Sequence, residues 1–264
     1  MAGKIGVKGA LLLDVLSILV LIIASSVGCT GNRSAKSLLR NNFDEVAVSY
    51  DGLVCLRHGN MFTIVKPDRE GGITLVDTFS VPIPADARLL DFNGVGKRLF
   101  IASGDSVVAY DLNTGLFTTL TRGKFSEDVE CARSSSDGQF LGFAASRWSI
   151  GKIVFWRLVV VDAVQGGIVH YCDSLPTPYS FQWVKPRRIG YAEVKYVRGV
   201  FDTVGVFYDT ERNVKFSSRD ATLDFLKNPC NPLTSPDGNW AAEYINGRLK
   251  IRWTGKGTPP TGAQ

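Results

Sequence analysis

Histidine is nearly missing from this chain: His58 and His170 are the only two in 264 residues. They fall in different repeats, so a metal centre built from clustered histidines has no support. A Ser/His nucleophile pair is equally hard to assemble, and no G-x-S-x-G elbow occurs. There is no C-x-x-C, which removes thioredoxin-like redox chemistry and the common zinc sites. No segment sustains the i, i+3, i+4, i+7 spacing of an amphipathic helix; residues 221–227 come nearest, for two turns. Charge of one sign is also scarce, with 30 basic and 25 acidic side chains giving +5. The two basic spots, Lys185-Pro186-Arg187-Arg188 and Arg248-Leu249-Lys250-Ile251-Arg252, are too short for a nucleic-acid surface. They read as solvated strand faces or turn edges, with contact to anionic lipid headgroups or an acidic partner as the alternative.

What is present is a succession of short runs rich in Val, Ile, Phe, Tyr and Thr, separated by Gly, Asn and Asp. Examples are Val46-Ala47-Val48, Met61-Phe62-Thr63-Ile64-Val65 and Arg98-Leu99-Phe100-Ile101-Ala102. Regular turn signals between such runs indicate an all-β domain. One signal recurs as Ser49-Tyr50-Asp51-Gly52, Asn93-Gly94-Val95-Gly96, Ser135-Ser136-Asp137-Gly138 and Ser235-Pro236-Asp237-Gly238, with a degenerate copy at Lys185-Pro186-Arg187-Arg188. Its glycines step by 44, 42 and 100 residues, the last being two steps of 50 through the degenerate copy. A second signal follows each of the first four and begins at Asp68, Asp111, Asp162 and Asp209, with steps of 43, 51 and 47. Periods of about 40 to 50 in an all-β sequence point to propeller blades.

The chemistry of the signals fits turns: aspartate bonds the backbone ahead of it and glycine takes the positive φ that closes the loop. The expected fold is a β-propeller of about five four-stranded blades. In the third unit the strands are expected near residues 129–133, 139–145, 152–162 and 168–172. The fifth unit is incomplete, and a strand from residues 37–40 is the candidate to close the ring. The alternation of Ser-Pro-Asp-Gly with a later aspartate-led turn resembles the TolB-like β-propeller repeat, found in the periplasmic TolB family and in the propeller of prolyl oligopeptidases. The resemblance covers residues 45–253, best in the third and fifth units. Neither the N-terminal α/β domain of TolB nor the hydrolase domain that follows the oligopeptidase propeller is expected from these 264 residues.

Ahead of the repeats, Lys4 and Lys8 precede an apolar run over residues 15–27 that ends in Ala24-Ser25-Ser26-Val27-Gly28 directly before Cys29. These are the three zones of an export signal. Asp14 shortens the run below what a membrane span needs, which leaves an uncleaved anchor as the weaker alternative. Ser26-Val27-Gly28-Cys29 resembles the bacterial lipobox, departing from it at Ser26 where leucine is usual. The resemblance implies cleavage before Cys29 and acylation of that cysteine, hence a protein on the periplasmic side held to a membrane by lipid. Thr30 in the following position points, by enterobacterial sorting logic, to the outer membrane. The organisation expected is thus a signal over 1–28, lipidated cysteine and tether over 29–43, propeller over 44–254 and a tail over 255–264.

Four cysteines remain, Cys55, Cys131, Cys172 and Cys230. They form either two disulfides, in one of three pairings, or buried thiols. Asp105, Glu127, Asp128, Glu130 and Asp202 are the carboxylates that a glycosidase-like centre would draw on. Trp148, in Ser146-Arg147-Trp148-Ser149-Ile150-Gly151, reads as a loop residue and a possible anchor for a partner. No catalytic residue, metal site or cofactor is assigned. The functional expectation is a noncatalytic interaction or assembly module in the cell envelope, bound to the membrane through Cys29 and to envelope proteins, with no nucleic acid. The alternatives are a glycosidase- or lactonase-type propeller enzyme and a glycan or small-ligand binder.

Overall fold

The alternating apolar runs become strands in the computed structural model, which describes residues 43–68, 72–126, 128–218, 233–235, 238–245 and 248–254. The expected signal, Cys29, the tether, the closing strand at 37–40, Glu127, Cys230, the 221–227 segment and the tail lie outside the described residues.

Four antiparallel sheets follow one another along the chain. The first holds β1 (Glu45–Val48), β2 (Val54–His58), β3 (Met61–Pro67) and β4 (Ile73–Ser80). The second holds β5 (Arg88–Asn93), β6 (Arg98–Ser103), β7 (Ser106–Asp111) and β8 (Leu116–Arg122). The third holds β9 (Cys131–Ser134), β10 (Phe140–Ile150), β11 (Ile153–Asp162) and β12 (Ile168–Leu175). The fourth holds β13 (Phe181–Lys185), β14 (Arg188–Val197), β15 (Val200–Asp209) and β16 (Val214–Ser218), and the pair β17 (Trp240–Ile245) and β18 (Arg248–Trp253) begins a fifth. Each is a meander, the sheet form that two-to-five-residue turns permit. Among the described residues helix is confined to one 3-10 turn, Gly123–Phe125, and no helix is long and apolar enough to cross a membrane.

Burial grades from the inside out. The first strands β5 and β9 are almost wholly buried, while β4, the last strand of its sheet, is mostly exposed. Both faces of the middle sheets are covered. Leu99 and Ile101 pack against Phe62 and Ile64; Phe100 and Leu120 pack against Leu141 and Phe143; Leu158 and Val160 pack against Phe181 and Tyr191. Val54 and Leu56 pack against Leu249 and Ile251 of the fifth unit. Four apolar interfaces therefore join the sheets in the order fifth, first, second, third, fourth, which is the arrangement of propeller blades. Each fully buried side chain of this size contributes about 1.5–3 kcal/mol by leaving water.

The recurring sequence signals form a row of turns on one face. In the first four sheets the turn links strands one and two, in the fifth it precedes β17, and neighbouring turns meet from the fifth unit through the first, second and third to the fourth. A Cβ on Gly52 would lie 2.6 Å from Trp240 Nε1 of the fifth unit, and one on Gly94 would fall into the Asp51 carboxylate. Asn93 Nδ2 donates to the Ser135 carbonyl at 2.9 Å, and Asp137 meets Arg187 at 4.0 Å. Gly138, at φ 69°, has the Asn93 amide where a side chain would be. Serine closes these turns: Ser135 Oγ accepts from Phe140 N–H at 3.0 Å, and Ser235 Oγ accepts from Trp240 N–H at 2.9 Å. The aspartates of the second signal likewise act on backbone. Asp111, Asp162 and Asp209 each accept from the amides two and three residues ahead, at 2.8–3.2 Å.

Since the first strands end on this turn face, they all begin on the opposite one, where the turns between strands two and three also lie. The chain enters β1 there. Asp44 accepts from Gly59 N–H, in the β2–β3 turn, at 2.7 Å.

Candidate functional site

The innermost strands carry charge among apolar neighbours. Arg133 of β9 faces Asp91 of β5 at 3.4 Å, donates to the Val48 carbonyl of β1 at 3.2 Å and also to the Thr234 carbonyl. The Arg133 carbonyl accepts from Trp183 Nε1 of β13 at 2.9 Å. One residue thereby ties its own sheet to four other segments. Burial pushes the Asp91 carboxyl above its ordinary range, opposed by the Arg133 charge and by the Ser134 N–H, which donates at 2.6 Å. These axial charges are committed to holding blades together.

At the face where the first strands begin, a cavity of about 380 Å³ opens between Asp44, Glu45, Arg88, Leu89, Glu130 and Cys131. Glu45 accepts from Arg57 and from the Leu89 N–H, both at 2.6 Å. Arg88 donates to the Val129 carbonyl. Of the five carboxylates singled out from sequence, Glu130 lines this mouth. Asp105 sits in the β6–β7 turn, Asp202 lies on β15 opposite Lys195, and Asp128 precedes β9 without lining the cavity. Among the described residues, no group of three or more His, Cys, Asp or Glu is disposed to hold a metal ion.

His58 is exposed beside Asp44 at 3.8 Å. His170 lies between blades three and four, stacked on Tyr208 at 4.0 Å with Nε2 2.9 Å from the Tyr191 hydroxyl. Burial, then the nearby Lys215 charge, lowers its pKa to about 4, with Glu193 acting in the opposite sense. Both histidines thus have structural surroundings. The two-disulfide arrangement is overturned: Cys131 is disulfide-bonded, to a partner outside the described residues, while Cys55 and Cys172 are buried free thiols. Cys55 lies within the interface of blades one and two, and Cys172 within that of blades three and four, where each packs as a small apolar group.

The same face as the cavity bears two projecting hairpins. β10–β11 and β14–β15 run 10 or 11 residues per strand, against five to seven in β2–β3 and β6–β7. At about 3.3 Å per residue the difference carries their turns on the order of 13 Å farther out. Both close in two residues. Gly151 has the positive φ of a II′ turn, and Arg198 and Gly199 both have the positive φ of a I′ turn. An aromatic series links them: Trp148 to Phe155 at 4.8 Å, Phe155 to Phe201 at 6.2 Å, and Phe201 to Tyr196 at 5.0 Å between ring centres. Lys152 and Arg198 stand in the turns, and the apolar side chains beside them are open to solvent, with Ile150 55%, Val200 65% and Tyr196 67% exposed.

Trp148 belongs to this series but not to a loop. A bulge between Ala145 and Trp148 lets β10 continue through it, where the sequence reading ended the strand. Its Nε1 donates to the Asp173 carbonyl at 2.7 Å, leaving the ring half-buried on Phe155. The tip residues Tyr196, Val197, Val200 and Phe201 were missed. Lys195-Tyr196-Val197-Arg198-Gly199-Val200-Phe201 is a hairpin signature, β-branched and aromatic residues around a turn pair. The repeat steps of 47 to 51 in the third and fourth units, against 42 to 44 earlier, already encode the added length.

No protein-family model and no curated protein matches the chain. Among solved structures it is similar to the tricorn protease, at 15% identity over 77% of this chain and 19% of that one with a TM-score of 0.46. TolB from Acinetobacter baumannii follows at 16% identity over 68% and 44%, TM-score 0.36. A putative 6-phosphogluconolactonase from Bacteroides fragilis NCTC 9343 is similar at 17% identity over 67% and 53%, TM-score 0.39. The chain thus spans between a fifth and about half the length of these proteins.

Proposed function

We propose that this protein is a noncatalytic, lipid-anchored module of a bacterial cell envelope, held through acylated Cys29 on the periplasmic side, at the outer membrane, and contacting envelope partners through its hairpin face. The observation that carries the reading is the pair of elongated, aromatic-linked hairpins whose apolar tips are left in solvent, since exposed apolar clusters of this kind mark interaction surfaces. The buried ion pair of the innermost strands supports it, because Asp91 and Arg133 are consumed in contacts between blades.

A second reading rests on the 380 Å³ mouth, where Glu130 and Asp44 stand exposed at the rim. That geometry suits a glycan or small ligand, or a glycosidase- or lactonase-type reaction.

The test is a gentle-detergent pull-down from native membranes comparing the wild type, Cys29→Ala and Tyr196→Asp/Val200→Asp, with mass spectrometry of the bait's N-terminus and of what copurifies. An acylated Cys29 with a stoichiometric envelope protein that the hairpin variant loses is the expected result. An acylated bait that comes down alone moves the weight to the mouth cavity and to the ligand or enzyme reading.

A further inference from the structure

We infer that the tips of the two projecting hairpins dock into an anionic lipid surface, seating the face that bears the Glu130 cavity toward the membrane. The inference rests on the interaction-face reading, assigns the outermost residues of that face to the lipid surface and leaves envelope proteins to the rest of it.

Composition is the first argument. Residues 147–153 and 196–201, which make up both tips, carry three cations and no acid, Arg147, Lys152 and Arg198, while Lys195 below them stands opposite Asp202 and meets Glu193 at 3.7 Å. Lys152 and Arg198 occupy the turns themselves. They flank Ile150, Tyr196 and Val200, whose apolar surface is exposed. Cations around an apolar and aromatic tip fit the boundary between anionic headgroups and acyl chains, where the apolar part enters about 5–10 Å and the charges stay at headgroup level. A tip extended by on the order of 13 Å reaches that depth before the shorter turns of blades one and two meet the surface. A second copy of the chain is disfavoured at this site, since like charges would oppose one another.

Placement is the second argument. The described chain begins at Phe43 on this same face, fixed by the bond from Gly59 N–H to Asp44. The 13 residues from Thr30 to Asn42 are all that separate it from Cys29. Fully extended they span at most about 45 Å. A lipid on Cys29 therefore keeps the hairpin face near the bilayer, and the weak attachment of the tips then acts at high effective concentration.

The full-length acylated chain is reconstituted in vesicles of phosphatidylcholine, with and without phosphatidylglycerol, containing brominated acyl chains. An environment-sensitive fluorophore is placed at Ile150→Cys or Val200→Cys, with Asn113→Cys and Gln165→Cys on the opposite turns as controls. The free thiols Cys55 and Cys172 are buried and stay unlabelled. At least twofold stronger quenching at both tips than at the controls, dependent on phosphatidylglycerol, is expected. Lys152→Glu/Arg198→Glu should abolish it and Lys152→Arg/Arg198→Lys should keep it. Tip quenching equal to the controls, or tips shielded by an added acidic protein and not by brominated lipid, overturns the inference. The mass of Cys29 in the same sample separates the two claims. Unmodified Cys29 with quenched tips keeps the docking and removes the anchor, whereas acylated Cys29 with unquenched tips does the reverse.

Discussion

Arg133 and Asp91 form an ion pair at the innermost strands of neighbouring blades, 3.4 Å apart, with side chains 5% and 1% exposed. Removing one partner of such a pair leaves a charge stranded where water cannot reach it, at a cost of about 3–5 kcal/mol. Arg133→Met should therefore lower the thermal midpoint by several degrees or prevent folding. Arg133→Met/Asp91→Asn should recover part of the loss, because the stranded carboxylate is gone. Denaturant titration of Arg133→Met, Asp91→Asn and the double variant measures the coupling, and single losses that simply add in the double variant would show that the pair is uncoupled.

The contacts between neighbouring turns grade the cost of replacing glycine. A Cβ at Gly138 would lie 2.7 Å from Asn93 Oδ1 and 3.1 Å from the Gly96 Cα, at φ 69°. At Gly104, φ is 56° and no atom lies within 4 Å. Gly104→Ala should cost about 1–2 kcal/mol, the left-handed backbone penalty alone. Gly138→Ala should cost more, since the contact between blades two and three must also open. Chemical denaturation of the two variants side by side checks the order.

His170 gives a pH dependence with a definite sign. Its pKa of about 4 lies below the ordinary value of 6.5, chiefly through burial. Between those values the unfolded chain binds a proton that the folded chain refuses, so this contribution to stability falls as pH drops from about 6.5 to 4. Tyr191 and Tyr208 pack on the ring, and the Lys215 and Glu193 charges act on it. His170→Gln should flatten that limb of the stability–pH curve, which thermal melts between pH 4 and 7 would reveal.

Cysteine chemistry separates the thiols. Burial raises the pKa of both Cys55 and Cys172, which suppresses the thiolate. Neither should react with a thiol reagent in the native protein, and both should react after unfolding. A reductant should lower the melting temperature through the Cys131 disulfide.

Much of the architecture was legible because turn chemistry is local. Asp137-Gly138 and Asp162 declared their turns through residues whose backbone demands are fixed within a few positions, and their spacing set the blade period. The axis was not legible. Asp91 and Arg133 are 42 residues apart in sequence, and only the stacking of β5 on β9 makes each the other's partner. Their signal was a charge inside an otherwise apolar strand, Leu89-Leu90-Asp91-Phe92 and Ala132-Arg133-Ser134. The hairpin face was half legible. Trp148 pointed to the right hairpin, but reading residues 146–151 as a loop hid the bulge that lets β10 continue and places the exposed surface at Ile150, Tyr196 and Val200. The two-disulfide alternative failed at Cys55 and Cys172, since spacing carries no information on which thiols a blade interface encloses.

The most direct test of an interaction face on the hairpins is photo-crosslinking in native membranes, with a photoreactive residue placed in turn at Ile150, Tyr196, Glu130, Asn113 and Gln165. Adducts at Ile150 and Tyr196, with little at the opposite turns Asn113 and Gln165, are the expected result. Adducts confined to the opposite turns or to the cavity at Glu130 would contradict it.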